Sequence, residues 1–302
     1  MARRRKGRRI DGWIVLDKPA GLSSAGAVGK VRAILGAAKA GHGGTLDPLA
    51  TGVLPIALGE ATKTVPYVMD GRKTYRFRIR WGEARDTLDG EGAVVGTSDV
   101  RPAPAALAAA LPRFVGRITQ IPPKFSALKV AGARAYELAR AGQPVALAAR
   151  EVEVFSLTLT AAVREHADFE LICGKGTYVR ALARDLAAAV GALGYVEQLR
   201  RTRAGPFAES DAISLDKLVE LVHSAPLESC LLPLETALDD IPALAISGEQ
   251  ANRLRAGQGI AVDQTGSGVL CAMSGGRPVA LARLEAGELK PVRVFNQPQA
   301  GP

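Results

Sequence analysis

The stretch from residue 74 to 81 constrains the fold most, because apolar and basic side chains alternate in it without a fault. One face carries Tyr75, Phe77, Ile79 and Trp81, and the other carries Arg76, Arg78 and Arg80. A period of two with one apolar face predicts a half-buried strand, typical of an antiparallel sheet with one solvated side. The chain is therefore expected to build a sheet whose outer face is basic at this strand.

Further strands and helices follow along the chain. Apolar runs predict buried strands at residues 13–16 and 169–173. Helical spacing predicts a helix after Ser23 or Ser24, a second at residues 60–69 and a third after residue 178. We expect an α+β fold with a mixed, mainly antiparallel sheet flanked by helices over residues 11–240. Short strands and Gly-rich turns over 243–302 predict a small β-barrel domain.

Charge points to a polyanionic partner. The 302 residues include 39 Lys and Arg against 30 Asp and Glu, a formal net charge of +9, which favours nucleic acid over a small acidic molecule. Six of these charges lie in a tail over residues 1–10, which we expect to be disordered, either as an RNA-backbone contact or as a solvated arm.

The cysteines and histidines argue against a metal or a disulfide framework. Three cysteines stand far apart, and the three histidines fall in unrelated contexts, so neither pattern has the spacing of a zinc site. The sequence predicts no metal, reduced thiols in a cytoplasm, and no membrane span.

A Gly-rich stretch centred on Asp47 is the candidate site. Gly41, Gly43 and Gly44 can take up positive φ and let a bulky ligand approach, and Pro48 holds the preceding residue extended. The carboxylate of Asp47 would then be displayed to a ligand. The alternative is that Asp47 merely caps a short helix with Pro48 at its first position.

Several motifs resemble those of bacterial tRNA pseudouridine-55 synthases of the TruB type. They are Gly-His-Gly-Gly-Thr-Leu-Asp-Pro at 41–48 with Ala-Thr-Gly at 50–52, Lys-Pro-Ala-Gly at 18–21 with Ser24, and Lys-Gly-Thr-Tyr-Val-Arg at 175–180. The resemblance spans roughly residues 12–295, and by position the C-terminal part resembles a PUA RNA-binding domain. It implies isomerisation of uridine to pseudouridine in the T-loop of tRNA, with no cofactor and no obligate protein partner. We expect a monomer that binds the T-stem-loop.

The resemblance also implies roles for individual residues. The matching aspartate, Asp47, is the catalytic one, and the arginine that holds it ionised matches Arg180. The flipped base would be received by Tyr75 and Leu199, and His42 would fill the vacated space. Tyr178 and Lys18 complete the predicted substrate-binding set. Three of these residues also have simpler interpretations: a core aromatic for Tyr75, an exposed turn residue for Lys18 and a surface helix residue for Arg180.

Two segments depart from the family's pattern in one residue each. An acidic loop over residues 85–92 has Arg85 where a threonine is usual, and a basic, Pro-opened segment has Phe125 where a tyrosine is usual. The second segment, about residues 120–150, has few large apolar residues and is expected to protrude as an RNA-gripping insertion. Leu199 lies in a second basic cluster with Arg200, Arg201 and Arg203.

Two other functions remain open on the residues alone. A ribonucleoside hydrolase would use Asp47 and Asp89 as paired carboxylates and release free uracil. A non-catalytic RNA chaperone would keep its activity when Asp47 is changed to Asn. Within the synthase hypothesis, Asp47 is either a nucleophile at the sugar or a base at the neighbouring carbon.

Overall fold

The structure is a computed structural model that describes residues 7–126, 128–130 and 132–297. These residues form seven α-helices: α1 (Ser24–Leu35), α2 (Val65–Asp70), α3 (Pro104–Ala110), α4 (Ala135–Arg140), α5 (Val179–Ala189), α6 (Leu215–Ser224) and α7 (Gly248–Arg255). The first half of the strands are β1 (Gly12–Lys18), β2 (Ala40–His42), β3 (Thr51–Leu58), β4 (Lys73–Trp81), β5 (Glu83–Arg85), β6 (Val94–Thr97), β7 (Gly116–Gln120), β8 (Lys129–Val130) and β9 (Ala133–Arg134). The second half are β10 (Arg150–Ala162), β11 (His166–Cys173), β12 (Gly194–Ala204), β13 (Phe207–Ala208), β14 (Ala243–Ala245), β15 (Ile260–Ala261), β16 (Gly268–Ser274), β17 (Arg277–Glu285) and β18 (Glu288–Val294).

A nine-stranded sheet dominates the described residues. Its main path runs β1, β3, β12, β4, β11, β10 and β7, with β2 added to β3 and β13 added to β12. Every pairing is antiparallel except that of β12 with β3, where Arg200 lies opposite Thr51. The predicted α+β fold with a mixed, mainly antiparallel sheet is confirmed, and β4 lies at its centre.

The outer face of β4 is not a free basic surface. Arg78 donates two hydrogen bonds to Asp168 on β11, at 2.7 and 2.9 Å, and Arg80 lies 3.5 Å from Glu197 on β12. Arg76 lies 3.7 Å from both Glu170 and Glu209. Acidic residues on neighbouring strands, with Glu209 from the turn after β13, therefore balance the arginines, a pattern that one strand's sequence does not reveal.

The first predicted helix is confirmed, and the second is broken. Ser23 caps α1 by accepting a hydrogen bond from the Gly26 amide, and Gly36 ends it with φ +62°. Where one helix was predicted over residues 60–69, the chain forms a 3-10 turn over Gly59–Lys63 and then α2. Thr64 lies at the junction with its hydroxyl turned back to the Ala61 carbonyl. Such a back-bond competes with a continuous helix.

The C-terminal sheet is a separate five-stranded unit in the order β14, β16, β17, β18 and β15. It has its own buried cluster under α7, and it also shares a second cluster with the main sheet. The shared cluster contains Trp13, Val15, Val53 and Phe207 from the main sheet, Leu234 and Leu238 from the connector over residues 226–242, and Cys271, Leu281 and Phe295 from the C-terminal sheet. The C-terminal sheet is therefore packed on the back of β1 and β3 through apolar side chains.

The structure describes only the last part of the predicted N-terminal tail, from residue 7. Residues 1–6, with most of its charge, lie outside the described residues. Although the predicted disordered tail extends to residue 10, Arg8 exchanges backbone hydrogen bonds with Gly36 and Ala38, and Ile10 is buried. None of the helices in the described part of the chain is long and apolar enough to cross a membrane.

Candidate active site

Asp47 lies in the loop between β2 and β3, here called the Asp47 loop (residues 43–50). No helix follows Pro48, so the interpretation of Asp47 as a helix cap is wrong. Instead the Ala50 amide donates to the Asp47 carbonyl at 3.1 Å, which closes a tight turn. The Asp47 side chain is 31% exposed, so its carboxylate is displayed as the Gly-rich pattern predicts.

Two buried side chains hold the Asp47 loop from the α1 side. The hydroxyl of Ser24 donates to the Leu46 carbonyl at 2.9 Å and accepts from the Leu46 amide at 2.8 Å. The Nζ atom of Lys18 donates to the carbonyls of Pro19, Leu22 and Pro48 at 2.8, 2.7 and 3.1 Å. The backbone on both sides of Asp47 is thereby fixed.

Arg201 holds the Asp47 loop from below. Only 1% of this residue is exposed, and its guanidinium donates to the carbonyls of Val53 at 2.8 Å, Gly44 at 3.1 Å and Thr45 at 3.5 Å. Gly44 has φ +125°, a conformation that side chains rarely adopt. The same side chain hydrogen-bonds Tyr75 and lines the larger cavity at the site, so Arg201 ties the loop to β12 beside Tyr75.

The glycines serve packing more than ligand approach. A Cβ on Gly43 would lie 2.8 Å from Cγ1 of Val68, and of the three candidate glycines only Gly44 has a positive φ. Gly41 has open space around its Cα. The expectation that all three admit a ligand therefore fails at Gly43, where the close neighbour is the protein's own core.

Asp47 faces a buried arginine that bridges two carboxylates. The Nε atom of Arg180 lies 2.8 Å from Oδ2 of Asp47, and its Nη1 atom lies 3.2 Å from Oδ2 of Asp89. The same guanidinium donates to the carbonyls of Thr87 at 2.8 Å and Phe125 at 2.9 Å. Arg180 and Asp89 side chains are both 4% exposed. The surface-residue interpretation of Arg180 is wrong, and four acceptors from three segments orient its charge toward Asp47.

The electrostatics of Asp47 are a balance. Burial raises the pKa of Asp47 above its ordinary value, and Asp89 adds to the rise, whereas Arg180 and then Lys18 oppose it. Burial also lowers the pKa of Lys18 to about 8, with Asp47 opposing the fall. His42 is neutral near pH 7, since burial and the nearby Arg201 lower its pKa. Asp47 is thus a carboxyl group that sits between a desolvating environment and one strong cationic partner.

Two cavities meet at the Asp47 loop, and together they collect most of the predicted site residues. The larger, about 620 Å³, is lined by Asp47, Tyr75, Tyr178 and Leu199. The smaller, about 400 Å³, is lined by Asp47, His42 and Arg180, with Tyr136 and Arg140 of the insertion. Six of the seven predicted residues, Asp47 included, therefore line these two cavities. We call the larger one the base cavity and the smaller one the loop cavity.

Lys18 is the exception among the predicted residues. It lines neither cavity, and the interpretation of an exposed turn lysine is also wrong, because the residue has no exposed surface. Its three donors are used by three carbonyls. It packs beside the Asp47 loop, and its ammonium is turned to backbone carbonyls.

The second basic cluster is also different from its prediction. Arg200 donates to Asp17 at 2.9 and 3.0 Å and to Glu209 at 2.5 Å, and Arg201 is buried. Arg203 alone of the three is exposed. Alternation along β12 separates Arg200 from Arg201. Arg201 and Arg203 are separated by a register shift in the pairing of β12 with β4, so they do not share one face.

Sequence reasoning missed several residues that build the site. Ser24 and Arg201 fix the Asp47 loop, and Gln120 and Arg150 contact Tyr178. Ser24 was noted only as a cap or motif position, and Gln120 only as the start of the insertion. The sequence signal that could have found them is a polar residue at a position where the apolar pattern of a strand or helix predicts a buried side chain.

The described residues contain no group of three or more His, Cys, Asp or Glu side chains that could hold a metal ion. A carboxylate with an oriented cationic partner can act as a nucleophile or as a base.

Comparison with known proteins identifies the family. Residues 32–179 match the N-terminal domain model of TruB family pseudouridylate synthases, and residues 180–239 match the C-terminal domain model of tRNA pseudouridylate synthase B. The tRNA pseudouridine synthase B of Caulobacter sp. strain K31 is 56% identical, covering 98% of this chain and 99% of the relative. That of Rhodospirillum rubrum is 50% identical over 98% of this chain and 100% of the relative.

A solved structure supports the fold. The matching chain of an H/ACA ribonucleoprotein bound to a substrate RNA containing 2′-deoxyuridine has a TM-score of 0.74 and 23% identity, over 99% of this chain and 92% of the other. At that identity the likeness concerns the fold alone. The family models and the two relatives carry the assignment: this chain belongs to the TruB family of tRNA pseudouridylate synthases.

Proposed function

We propose that this chain isomerises uridine to pseudouridine at position 55 in the T-loop of tRNA, with Asp47 as the catalytic group. The observation that carries the proposal is the position of the Asp47 carboxylate, at the junction of two cavities and 2.8 Å from a buried guanidinium. Family membership supports the reaction type.

The reaction needs a carboxylate and a turned base, but no oxidant or energy source. The bond from N1 of uracil to C1′ breaks, a bond from C5 to C1′ forms, and a proton leaves C5 while N1 gains one. Asp47 acts at the sugar, as a nucleophile at C1′ or as a base at C2′. Arg180 favours its ionised form. Because burial makes Tyr75 harder to ionise, its phenol stays neutral beside the base.

The base must leave the RNA stack before Asp47 can reach its sugar, at a cost of a few kcal/mol. In this proposal the base cavity receives it, with Tyr75, Tyr178 and Leu199 as walls. The loop cavity receives the backbone of the T-loop, and His42 occupies the space that the nucleotide vacates. The T-stem-loop is thus the substrate unit, and we propose that a monomer acts on it.

The test is pseudouridine mapping on an unmodified tRNA transcript and on an isolated T-stem-loop. Wild-type protein should convert one uridine, at position 55, and release no free uracil. Asp47→Asn is nearly isosteric and should lower the single-turnover rate by about 10²- to 10⁴-fold, as for the loss of a positioned base, while RNA binding is retained. Conversion by Asp47→Asn at the wild-type rate would remove Asp47 from the mechanism.

Two further readouts separate the alternatives. Free uracil in the products would favour the hydrolase that uses Asp47 and Asp89. The two roles of Asp47 differ at C2′, since only the base route breaks the bond to hydrogen there. A slower single-turnover reaction with 2′-deuterated substrate would identify Asp47 as a base, and an unchanged rate would identify it as a nucleophile.

A further inference from the structure

Tyr178 lines the base cavity, and the helix that it begins binds only its carbonyl, which accepts a hydrogen bond from the Leu182 amide at 3.0 Å. It is the N-cap of α5 with extended backbone, φ −103° and ψ 113°, and its side chain makes no capping hydrogen bond. An N-cap position of this kind leaves backbone groups that need partners from elsewhere. Those partners come from the main sheet.

Gln120 binds the backbone of Tyr178 at two points. Its Oε1 atom accepts from the Tyr178 amide at 3.1 Å, and its Nε2 atom donates to the Tyr178 carbonyl at 3.3 Å. Only 1% of Gln120 is exposed. A buried amide that uses both its acceptor and a donor on one residue fixes the position and the direction of that peptide.

Arg150 holds the ring of Tyr178 from the next strand. Its guanidinium carbon lies 4.7 Å from the ring centroid, and its Nη2 atom donates to the Gly176 carbonyl two residues before the tyrosine. Among the described residues, the Nε atom of Arg150 is buried without a hydrogen-bond partner. Arg150 also lines the base cavity beside Tyr178.

These two residues occupy one position in the sheet. Gln120 and Arg150 lie directly opposite each other in the antiparallel pairing of β7 with β10. Gln120 is the last residue of β7 and Arg150 the first of β10, so the insertion (residues 121–149) leaves the sheet at one and returns at the other. The two residues that contact Tyr178 therefore also mark the points where the insertion leaves and rejoins the sheet.

We propose that Gln120 and Arg150 are positioning residues that act through Tyr178 and set its ring in the wall of the base cavity. This inference rests on the proposed function, since it assumes that Tyr178 contacts the flipped nucleotide. Neither residue needs to touch the reacting atoms. We call the contacts of Gln120 and Arg150 with Tyr178 the clamp. Placement errors of about 1 Å cost up to about 10²-fold in rate, so loss of the clamp should reduce turnover and leave RNA affinity nearly unchanged.

A double-mutant cycle tests the clamp. Gln120→Ala should lower the single-turnover rate at saturating T-stem-loop by about 10-fold or more, with less than about a 2-fold change in Kd. In a Tyr178→Ala background the same change should have almost no further effect, because the clamp acts through the residue already removed. Arg150→Ala should show the same non-additivity, and Arg150→Lys, which keeps the charge but not the planar stack, should rescue only part of the rate.

Matched controls and outcomes make the result decisive. Thr119→Ala alters the exposed neighbour of Gln120 on β7, and Arg164→Ala removes an arginine that is 84% exposed; both should keep the wild-type rate. Additive losses in the Tyr178→Ala background, or a Gln120→Ala rate equal to wild type, would overturn the clamp. A Tyr178→Ala variant with the wild-type rate would instead overturn the proposed role of Tyr178, and a wild-type protein that forms no pseudouridine would overturn the proposed function.

Discussion

The Asp47 loop and the insertion face each other across the loop cavity, and they are held in opposite ways. Buried side chains bind the Asp47 loop from two sides, Ser24 and Lys18 from the α1 side and Arg201 from below. The insertion is bound to α5 at its start, where Arg184 and Arg180 donate to the carbonyls of Ile121 and Phe125. Further on, most residues from 140 to 149 are exposed.

The contrast separates two tasks. A catalytic carboxylate gains from being fixed before substrate arrives, because reorganisation during the reaction is then avoided. A surface that grips RNA has to admit a bulky substrate and then close on it. Arg180 belongs to both regions, since one guanidinium binds Asp47 and the Phe125 carbonyl. The position of the insertion and the orientation of Arg180 toward Asp47 are therefore linked.

The largest effect is expected when the support below the Asp47 loop is removed. Arg201→Met keeps much of the side-chain volume but leaves the carbonyls of Val53 and Gly44 buried without their donor, at a cost of about 3 kcal/mol in unfolding free energy. The loosened loop should also slow turnover by about 10²-fold. Thermal unfolding and single-turnover rates check both.

The matched control for that change is Arg203→Met, two residues along the same strand. Arg203 is exposed, and its Nε atom donates to the Gly205 carbonyl, so this variant should keep both stability and rate. If Arg201→Met turns over normally once it is shown to be folded, the Asp47 loop does not need its support for catalysis.

The second expected effect concerns the C-terminal sheet, which lines neither cavity in the described part of the chain. Deleting residues 243–302 should leave the saturated rate on a T-stem-loop near normal and weaken binding of full-length tRNA, since a second grip raises affinity through effective concentration. The shared apolar cluster adds a stability cost, because Trp13 and Phe207 lose Leu281 and Phe295.

Leu281→Ala in the full chain separates these two consequences. It should lower unfolding free energy by about 2–5 kcal/mol while leaving the binding of RNA and the saturated rate unchanged. A large fall in the saturated rate of the folded deletion variant would mean that the C-terminal sheet shapes the active site.

The sequence predicted the fold and most of the site because those features have local signals. The alternation over residues 74–81 identified β4, and motif resemblance located Asp47, Tyr75, Tyr178, Arg180 and Leu199. The predicted tRNA pseudouridine synthase is confirmed by family membership. The individual roles of the site residues stay predictions.

The sequence did not predict the contacts that depend on distant partners. The sequence predicts Lys18 as a substrate residue or an exposed one. The position of its ammonium group depends instead on the Pro48 carbonyl, 30 residues further along the chain. Arg201 looked like part of a basic surface until the pairing of β12 with β3 placed it under the Asp47 loop. Charge and burial of such residues are set by tertiary neighbours that no local pattern encodes.

A smaller effect is expected in the insertion. Arg134 and Arg140 are exposed and line the loop cavity, so replacing either by alanine should weaken stem-loop binding a few-fold and leave the saturated rate unchanged. Each lost phosphate contact should also reduce the salt dependence, by a slope of roughly 0.7–0.9. Arg164→Ala is the charge-matched control. A reduced saturated rate with unchanged Kd would mean that these arginines act on chemistry.

The smallest effect is a shift in pH dependence caused by Asp89. The negative charge of Asp89 raises the pKa of Asp47. Asp89 also competes with Asp47 for Arg180, the cation that lowers the pKa of Asp47. Asp89→Asn removes the repulsive charge and leaves Arg180 free to pair with Asp47, so both changes lower the pKa of Asp47. If turnover needs ionised Asp47, the acid limb of the single-turnover rate should move to lower pH. Glu91→Gln is the control, since Glu91 lines the same cavity but does not contribute to the Asp47 shift.

The same pKa fixes the sign of a stability effect. A carboxyl whose pKa is raised on folding binds its proton more tightly in the folded state, so its contribution is present at low pH and is lost as the pH rises through the folded pKa. Ionisation of Asp47 therefore disfavours folding, and at a pH above its folded pKa Asp47→Asn should unfold at a temperature equal to or above that of the wild type. A clear drop in its melting temperature would show that the ion pair with Arg180 outweighs burial, and that the pKa of Asp47 is not raised.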